Sequence, residues 1–316
     1  MMTRVGKVGG GVRIACVGEA MVEVALDGSG GARVGFAGDV LNTGIYLRRQ
    51  IAAAHEVAFV SVIGRDGLSD AMAGFIAAEG VSVQHLARHA LRLPGLYTIA
   101  TDAGGERSFT YWREGSAART LFEGGDFAVL AGFDVIYLSA ITLAILPEAV
   151  RAGLLAWIAG FRQRGGQFAF DSNYRPSLWR DRAEAQTAVE AAWRLCDLGL
   201  PSLDDERTLY GDADATAVVA RLAGWGVRDG ALKRGSAGPM GLDGQGGAYP
   251  AATLVVDTTA AGDSFNGGYL AARLMGGPGG EAMQAGHVCA LRVIGYRGAI
   301  VPRAEWSALE EMLSAT

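Results

Sequence analysis

The stretch Asp257-Thr258-Thr259-Ala260-Ala261-Gly262-Asp263 sets small residues and a carboxylate at the junction between an apolar run and an amphipathic segment. Leu254-Val255-Val256 before it is β-type, and Phe265, Tyr269 and Leu270 after it recur at helical spacing, which predicts a helix starting near Ala261. The first N–H groups of a helix lack intrahelical partners and carry partial positive charge, so this junction is a cradle for a phosphate or a developing oxyanion. Ala260, Ala261 and Gly262 let such an anion come close. Asp263 in the same turn is suited to accept a proton from an attacking hydroxyl; a helix-capping aspartate would look the same.

Other polar groups fall where apolar runs end. Gly38-Asp39-Val40-Leu41-Asn42 opens a helical pattern, so Asp39 and Asn42 are placed either to hydrogen-bond a polyol or to cap the helix. In Tyr111-Trp112-Arg113, strand alternation puts Tyr111 and Arg113 on one face, with Arg113 either an anchor for an acidic substrate or a solvated arginine. Asp171-Ser172-Asn173-Tyr174-Arg175-Pro176 follows an apolar run, which makes Arg175 a second anion-binding candidate or part of an ordinary turn. Lys233-Arg234-Gly235-Ser236-Ala237-Gly238 suits nucleotide phosphates, as it would suit a plain glycine-rich turn.

Holding these groups together requires a scaffold whose strand ends converge. Short β-type runs at Ile14–Val17, Val57–Val62, Val135–Leu138, Phe168–Phe170, Ala231–Lys233 and Leu254–Val256 alternate with helical patterns at Leu41–Gln50, Ser69–Glu79, Pro147–Arg164, Ala183–Leu195 and Thr216–Ala223. That rhythm predicts a mainly parallel sheet covered by helices, with ligands beyond the carboxyl ends of the strands. Met21–Phe36 and Leu96–Trp112 break it. They read as strands joined by turns at Asp27-Gly28 and Asp102-Ala103-Gly104-Gly105, and predict a small antiparallel sheet acting as a lid. Gly276-Gly277-Pro278-Gly279-Gly280 predicts a loop before a last helix, Glu281–Ile294.

Several function classes are disfavoured. A net charge of −5 without a basic, aromatic-interleaved block argues against nucleic acid, and no run is long enough to span a membrane. The polar segment from Met1 to Gly11 lacks a secretory core, and Cys16, Cys196 and Cys289 are widely separated, so a reduced, cytoplasmic protein is expected. The sequence has no P-loop, no Gly-x-Gly-x-x-Gly after the first strand and no Gly-x-Ser-x-Gly turn, and its four histidines show no zinc-ligand spacing.

Together these motifs resemble the ribokinase-like (PfkB) carbohydrate kinases over nearly the whole chain, from Gly18 to Pro302. Ala260 in place of the commoner glycine, Ser264-Phe265-Asn266-Gly267-Gly268-Tyr269, Gly38 to Thr43 and Asn173-Tyr174-Arg175-Pro176 are similar to the 2-keto-3-deoxygluconate kinase branch. The resemblance implies an α/β three-layer sandwich, one kinase domain over residues 1–316 with a β lid at about 21–37 and 92–114, and a homo-oligomer paired through that lid. It implies Asp263 as base and Ala260, Ala261 and Gly262 as anion hole. It further implies sugar-acid contacts from Gly38, Tyr97, Tyr111, Arg113, Arg175 and Asp257, with ATP along Ser236–Gly238 and Ala260–Asp263 and adenine near Glu281–Ile294. Magnesium would be organised by Asp205 in Ser202-Leu203-Asp204-Asp205, where Ser202 replaces the family asparagine. The expected reaction is ATP-dependent phosphorylation of the terminal hydroxyl of a sugar acid, 2-keto-3-deoxygluconate to 2-keto-3-deoxy-6-phosphogluconate, with the gluconate- and galactonate-derived epimers not distinguished. A kinase for fructose or another neutral sugar, or a sugar-acid sensor without turnover, are the competing readings.

Overall fold

The computed structural model describes residues 11–26, 30–101 and 107–307. In chain order the elements are β1 (Arg13–Val17), β2 (Met21–Leu26), β3 (Ala32–Ala37), α1 (Asp39–Gln50), β4 (Glu56–Ile63), α2 (Gly67–Ala78), β5 (Leu86–Arg88), β6 (Gly95–Thr101) and β7 (Arg107–Trp112). They continue as β8 (Val135–Ser139), α3 (Ala140–Ile145), α4 (Glu148–Gln163), β9 (Gln167–Asp171), α5 (Arg182–Trp193), β10 (Leu198–Gly199), α6 (Leu203–Tyr210), α7 (Ala215–Gly224), β11 (Ala231–Leu232), β12 (Met240–Gly241), α8 (Ala261–Leu274) and α9 (Gly279–Ile294).

Six strands pair in parallel in the order β10-β9-β8-β1-β4-β5. Apolar runs without polar alternation form strands buried on both faces, as a sheet covered twice requires. Ala15, Val17, Val60, Ile136, Leu138 and Phe168 point to one side, into a core with Leu154 and Ile158 of α4 and Val189 and Trp193 of α5. Ile14, Cys16, Val57, Phe59 and Tyr137 point to the other, against Leu41 and Ile45 of α1, Met72 of α2, Phe265 and Leu270 of α8 and Met283 of α9. Each such aliphatic or aromatic side chain contributes about 1.5–3 kcal/mol on burial, so the three layers form a stiff base for the strand ends.

Beside this sandwich stands a four-stranded sheet in the order β3-β2-β6-β7. It is not wholly antiparallel: β2–β3 and β6–β7 are hairpins, but β2 and β6 pair in parallel. Each hairpin leaves the main body on its first strand and returns on its second, so the two outgoing strands run the same way. The turn signals at Asp27-Gly28 and Asp102-Ala103-Gly104-Gly105 lie outside the described residues.

Two further expectations need correction. Leu254–Val256 forms no strand; these residues are exposed, and the Val256 and Asp257 N–H groups donate to Ile294 O at the end of α9. β-propensity without a neighbouring strand to pair with does not make a strand. Ala231 and Leu232 pair antiparallel with Met240 and Gly241, and touch the main sheet only through isolated parallel bridges, Gly199–Gly230 and Ser202–Lys233.

The helices α1 and α8 cross where glycine is required. A Cβ at Gly267 would lie 2.7 Å from Tyr46 Cβ and 2.8 Å from Leu47 N, and one at Gly268 would lie 2.8 Å from Ala285 O in α9. This close approach brings the N-termini of α1 and α8 to the same edge as the carboxyl ends of β8 and β9, the last residues of which are Ser139 and Asp171.

Candidate active site

α8 starts behind Ala260, whose backbone is left-handed at φ 60°, ψ 16°. An L side chain there costs about 1–2 kcal/mol that glycine would not. Ala261 N donates to Thr258 O and Ser264 N to Ala260 O, and among the described residues the N–H groups of Gly262 and Asp263 have no carbonyl partner. Those two donors are the open end of the cradle.

Asp263 does not cap this helix. Its Oδ2 accepts from Asn42 Nδ2 at 2.8 Å, and Thr43 Oγ1 donates to its carbonyl at 3.2 Å. Burial, followed by the nearby carboxylates of Asp39 and Asp171, pushes the Asp263 carboxyl up to about 7, against the Asn42 hydrogen bond and the Lys233 charge. Asp39, the first residue of α1, accepts from Asn173 Nδ2 at 2.8 Å and from Ser139 Oγ, and burial raises it as well. Asn42 also accepts from Gly38 N at 3.3 Å, and a Cβ at Gly38 would sit 2.2 Å from Glu19 O, so only glycine fits that entry to the helix.

Lys233 is not on a solvated glycine turn. Its ammonium pairs with Asp171 at 2.9 Å and donates to Asn266 Oδ1 at 3.0 Å, while a Cβ at Gly262 would be 3.7 Å from it. Asn266 Nδ2 in turn reaches Asp171 Oδ2 at 2.6 Å and Tyr137 OH at 3.1 Å. Three acids at the floor of the cleft, Asp171 buried and Asp39 and Asp263 partly buried, therefore share one partly buried ammonium. Full ionisation of all three would leave unpaired charge in a largely desolvated corner, and the Asp263 carboxyl is raised accordingly. The sequence reading did not find Asn266, Ser139, Asn173 or Tyr137 as members of this network; the one local signal was that Asn266 lies one helical turn after Asp263.

A cleft of about 2090 Å³ opens above the network. Gly38, Asp39, Asn42, Tyr97, Tyr111, Arg113, Arg175, Asp205, Lys233, Ser236 and Ala260 to Asp263 all line it. Tyr97 and Tyr111 lie with ring centroids 5.6 Å apart, and Tyr97 OH donates to Glu23. Arg113 is not solvated: it is buried and ion-paired with the buried Glu19. Arg175 pairs with Asp205 at 3.3 Å, and burial raises the Asp205 carboxyl to about 6 despite the Arg175 charge.

Two of the predicted contacts are placed elsewhere. Asp257 is not among the lining residues; its carboxylate accepts from Thr259 N at 3.0 Å and Gly298 N at 2.6 Å, so it braces the loop under the cradle. Gly238 sits behind the lining, left-handed at φ 72°, with its carbonyl taken by Arg234 Nε at 2.9 Å.

Among the described residues no group of three or more His, Cys, Asp or Glu could hold a metal ion. Asp205, one of several carboxylates that line the cleft, does fit magnesium, which is commonly held by one or two carboxylates, waters and substrate phosphates. No helix among the described residues is long and apolar enough to cross a membrane.

The chain is 44% identical over 301 residues, 92% of its length and 96% of the relative's, to the 2-dehydro-3-deoxygluconokinase of Dickeya dadantii. It is 42% identical to the protein of that name from Escherichia coli K12, over 92% of this chain and 97% of the other. Among solved structures, a putative ribokinase II from E. coli in complex with ATP and Mg2+ shares the fold at a TM-score of 0.79 and 21% identity, covering 92% of this chain and 94% of that one. The model of the pfkB family carbohydrate kinases matches residues 12–306. With the family model and the curated relatives both matching along a chain that runs from β1 to beyond α9, the chain belongs to the pfkB family of carbohydrate kinases.

Proposed function

We propose that this protein transfers the γ-phosphoryl group of ATP to the terminal hydroxyl of 2-keto-3-deoxygluconate, giving 2-keto-3-deoxy-6-phosphogluconate and ADP. The observation that carries the reading is the pairing of Asp263, poised near neutrality and held by Asn42, with the open N–H groups of Gly262 and Asp263. The substrate oxygen attacks the γ-phosphorus, the bond from that phosphorus to the β–γ bridging oxygen breaks, and the hydroxyl proton passes to the Asp263 carboxylate. The α8 terminus receives the charge on the transferring oxygens. Asp39 and Asn173 form the hydroxyl-binding floor, and Ser236 lies along the nucleotide side of the cleft. Asp205 would help to hold a magnesium ion brought with the nucleotide, which would supply charge neutralisation of the phosphates.

The names of the curated relatives support the sugar acid. A neutral sugar is the second reading, favoured by one observation: Glu19 already neutralises Arg113. ADP release with both 2-keto-3-deoxy epimers, fructose and ribose decides between them, and preference for fructose overturns the acid. In this reading the chain is one kinase unit with the four-stranded sheet as its lid. Leu26, Val34 and Trp112 on that sheet are exposed and are covered by a second copy of the chain, so light scattering is expected to give a dimer, and a monomer at micromolar concentration counts against it.

A further inference from the structure

Most cations of the cleft are already engaged. Arg113 is paired with Glu19, Arg175 with Asp205 and Lys233 with Asp171, while Arg234 donates to the carbonyls of Ala237, Gly238 and Pro239. A substrate carboxylate meeting only the first two pairs would gain little, since each guanidinium already has its counter-charge. Of the remaining arginines in the lining, Arg92 is exposed and Arg119 is partly buried, and among the described residues Arg119 has no hydrogen bond or ion pair from its side chain.

Arg119 belongs to a loop held firmly by its backbone. Ser116 N donates to Arg113 O at 3.2 Å, Ala117 N to Leu93 O at 2.8 Å and Arg119 N to Ser116 O at 3.3 Å. Along this loop two buried polar atoms that border the cleft have no partner, Ser116 Oγ and Arg113 Nε, and Ser116 is only 3% exposed. Glu19 Oε1 on the same ion pair is a third buried atom without a partner, an acceptor. Leaving buried donors unmet costs about 1–3 kcal/mol each, so the two donors, with an unspent cation three residues on in the same cleft-lining loop, mark a place that a ligand completes.

We propose that Ser116 and Arg119, with Arg113 Nε, form the subsite that takes the carboxylate of the substrate. Arg119 supplies the charge that Glu19 denies to Arg113, and Ser116 Oγ and Arg113 Nε supply neutral and charged donors to the second oxygen. The subsite deepens the sugar-acid reading and rests on it for the identity of the ligand.

The test is calorimetric binding of 2-keto-3-deoxygluconate and of fructose to the wild type, Arg119→Ala, Arg119→Gln and Ser116→Ala, with melting temperatures as a check on folding. Arg119→Ala and Arg119→Gln are expected to weaken the acid about ten- to a hundredfold and leave fructose unchanged, with a smaller loss of about two- to tenfold for Ser116→Ala. Equal losses on both sugars, an unchanged acid affinity, or full recovery in Arg119→Gln would each overturn the subsite. Turnover by the wild type judges the parent reading separately: an enzyme that prefers fructose refutes the proposed reaction, while acid binding that depends on Arg119 still sustains the subsite.

Discussion

Replacing Asn42 by alanine removes the one side-chain donor that the structure gives to the Asp263 carboxylate, a bond of 2.8 Å. A hydrogen bond to a charged group contributes about 1.5–3 kcal/mol, and about 1.36 kcal/mol corresponds to one pKa unit, so the carboxyl is expected to rise by about one to two units. The wild-type carboxyl stands at about 7. Asn42→Ala therefore carries the acidic limb of kcat/KM to roughly pH 8–9. At pH 7 the ionised fraction falls from about a half to between a tenth and a hundredth, and activity falls about five- to fiftyfold, most of it recovered above pH 9. Asp39→Asn acts in the opposite sense. It takes away a like charge that raises Asp263, so its limb moves to lower pH even where KM worsens. The assay is ADP release from pH 5.5 to 10 on the preferred sugar, with kcat/KM fitted at each pH. A limb that stays in place in Asn42→Ala, or a loss of equal size at every pH, would show that Asn42 serves only to shape the loop.

Asp263→Asn keeps the shape but removes the proton acceptor, and is expected to lower kcat about 10²- to 10⁴-fold with nucleotide and sugar binding retained in calorimetry; near wild-type turnover would remove the assigned role. The raised folded-state carboxyl contributes stability that is complete below the ordinary aspartate range and is lost as pH rises through about 7. The melting temperature of Asp263→Asn relative to wild type should therefore climb between pH 5 and pH 8, and a flat difference would count against the shift. Asp205→Ala should raise the magnesium concentration needed for half-maximal rate more than it changes sugar affinity, and an unchanged titration would take Asp205 out of metal binding.

What could be read in the sequence was local. The helix start at Ala261, the helix opening at Asp39 and the alternation of strands with helices each depend on neighbours within a turn or two, and the structure has these elements where the spacing put them. The chemistry of the site depends on contacts across the chain. Asn42 and Asp263 are 221 residues apart, Asn173 and Asp39 are 134 apart, and Glu19 meets Arg113 across 94. No spacing rule could pair them, and the same long-range packing turned Asp257 from the expected sugar contact into a brace for Gly298 N. Leu254–Val256 shows the converse, a locally persuasive strand for which the fold supplies no partner.

The glycine-tight crossing of α1 over α8 has a consequence for how such an enzyme can change. With Gly267 against Tyr46 and Leu47, the helix that carries Asp39 and the helix that carries Asp263 are fixed in one register, and neither can shift without the other. Arg92 to Pro94, Arg113 to Ser116 and Arg119 line the cleft without taking part in that crossing. Substitution there is expected to change sugar preference more than reaction geometry, which kcat/KM across a panel of sugars would check. The fold thus keeps the α1–α8 crossing apart from the loops that border the ligand space, so the two can vary separately.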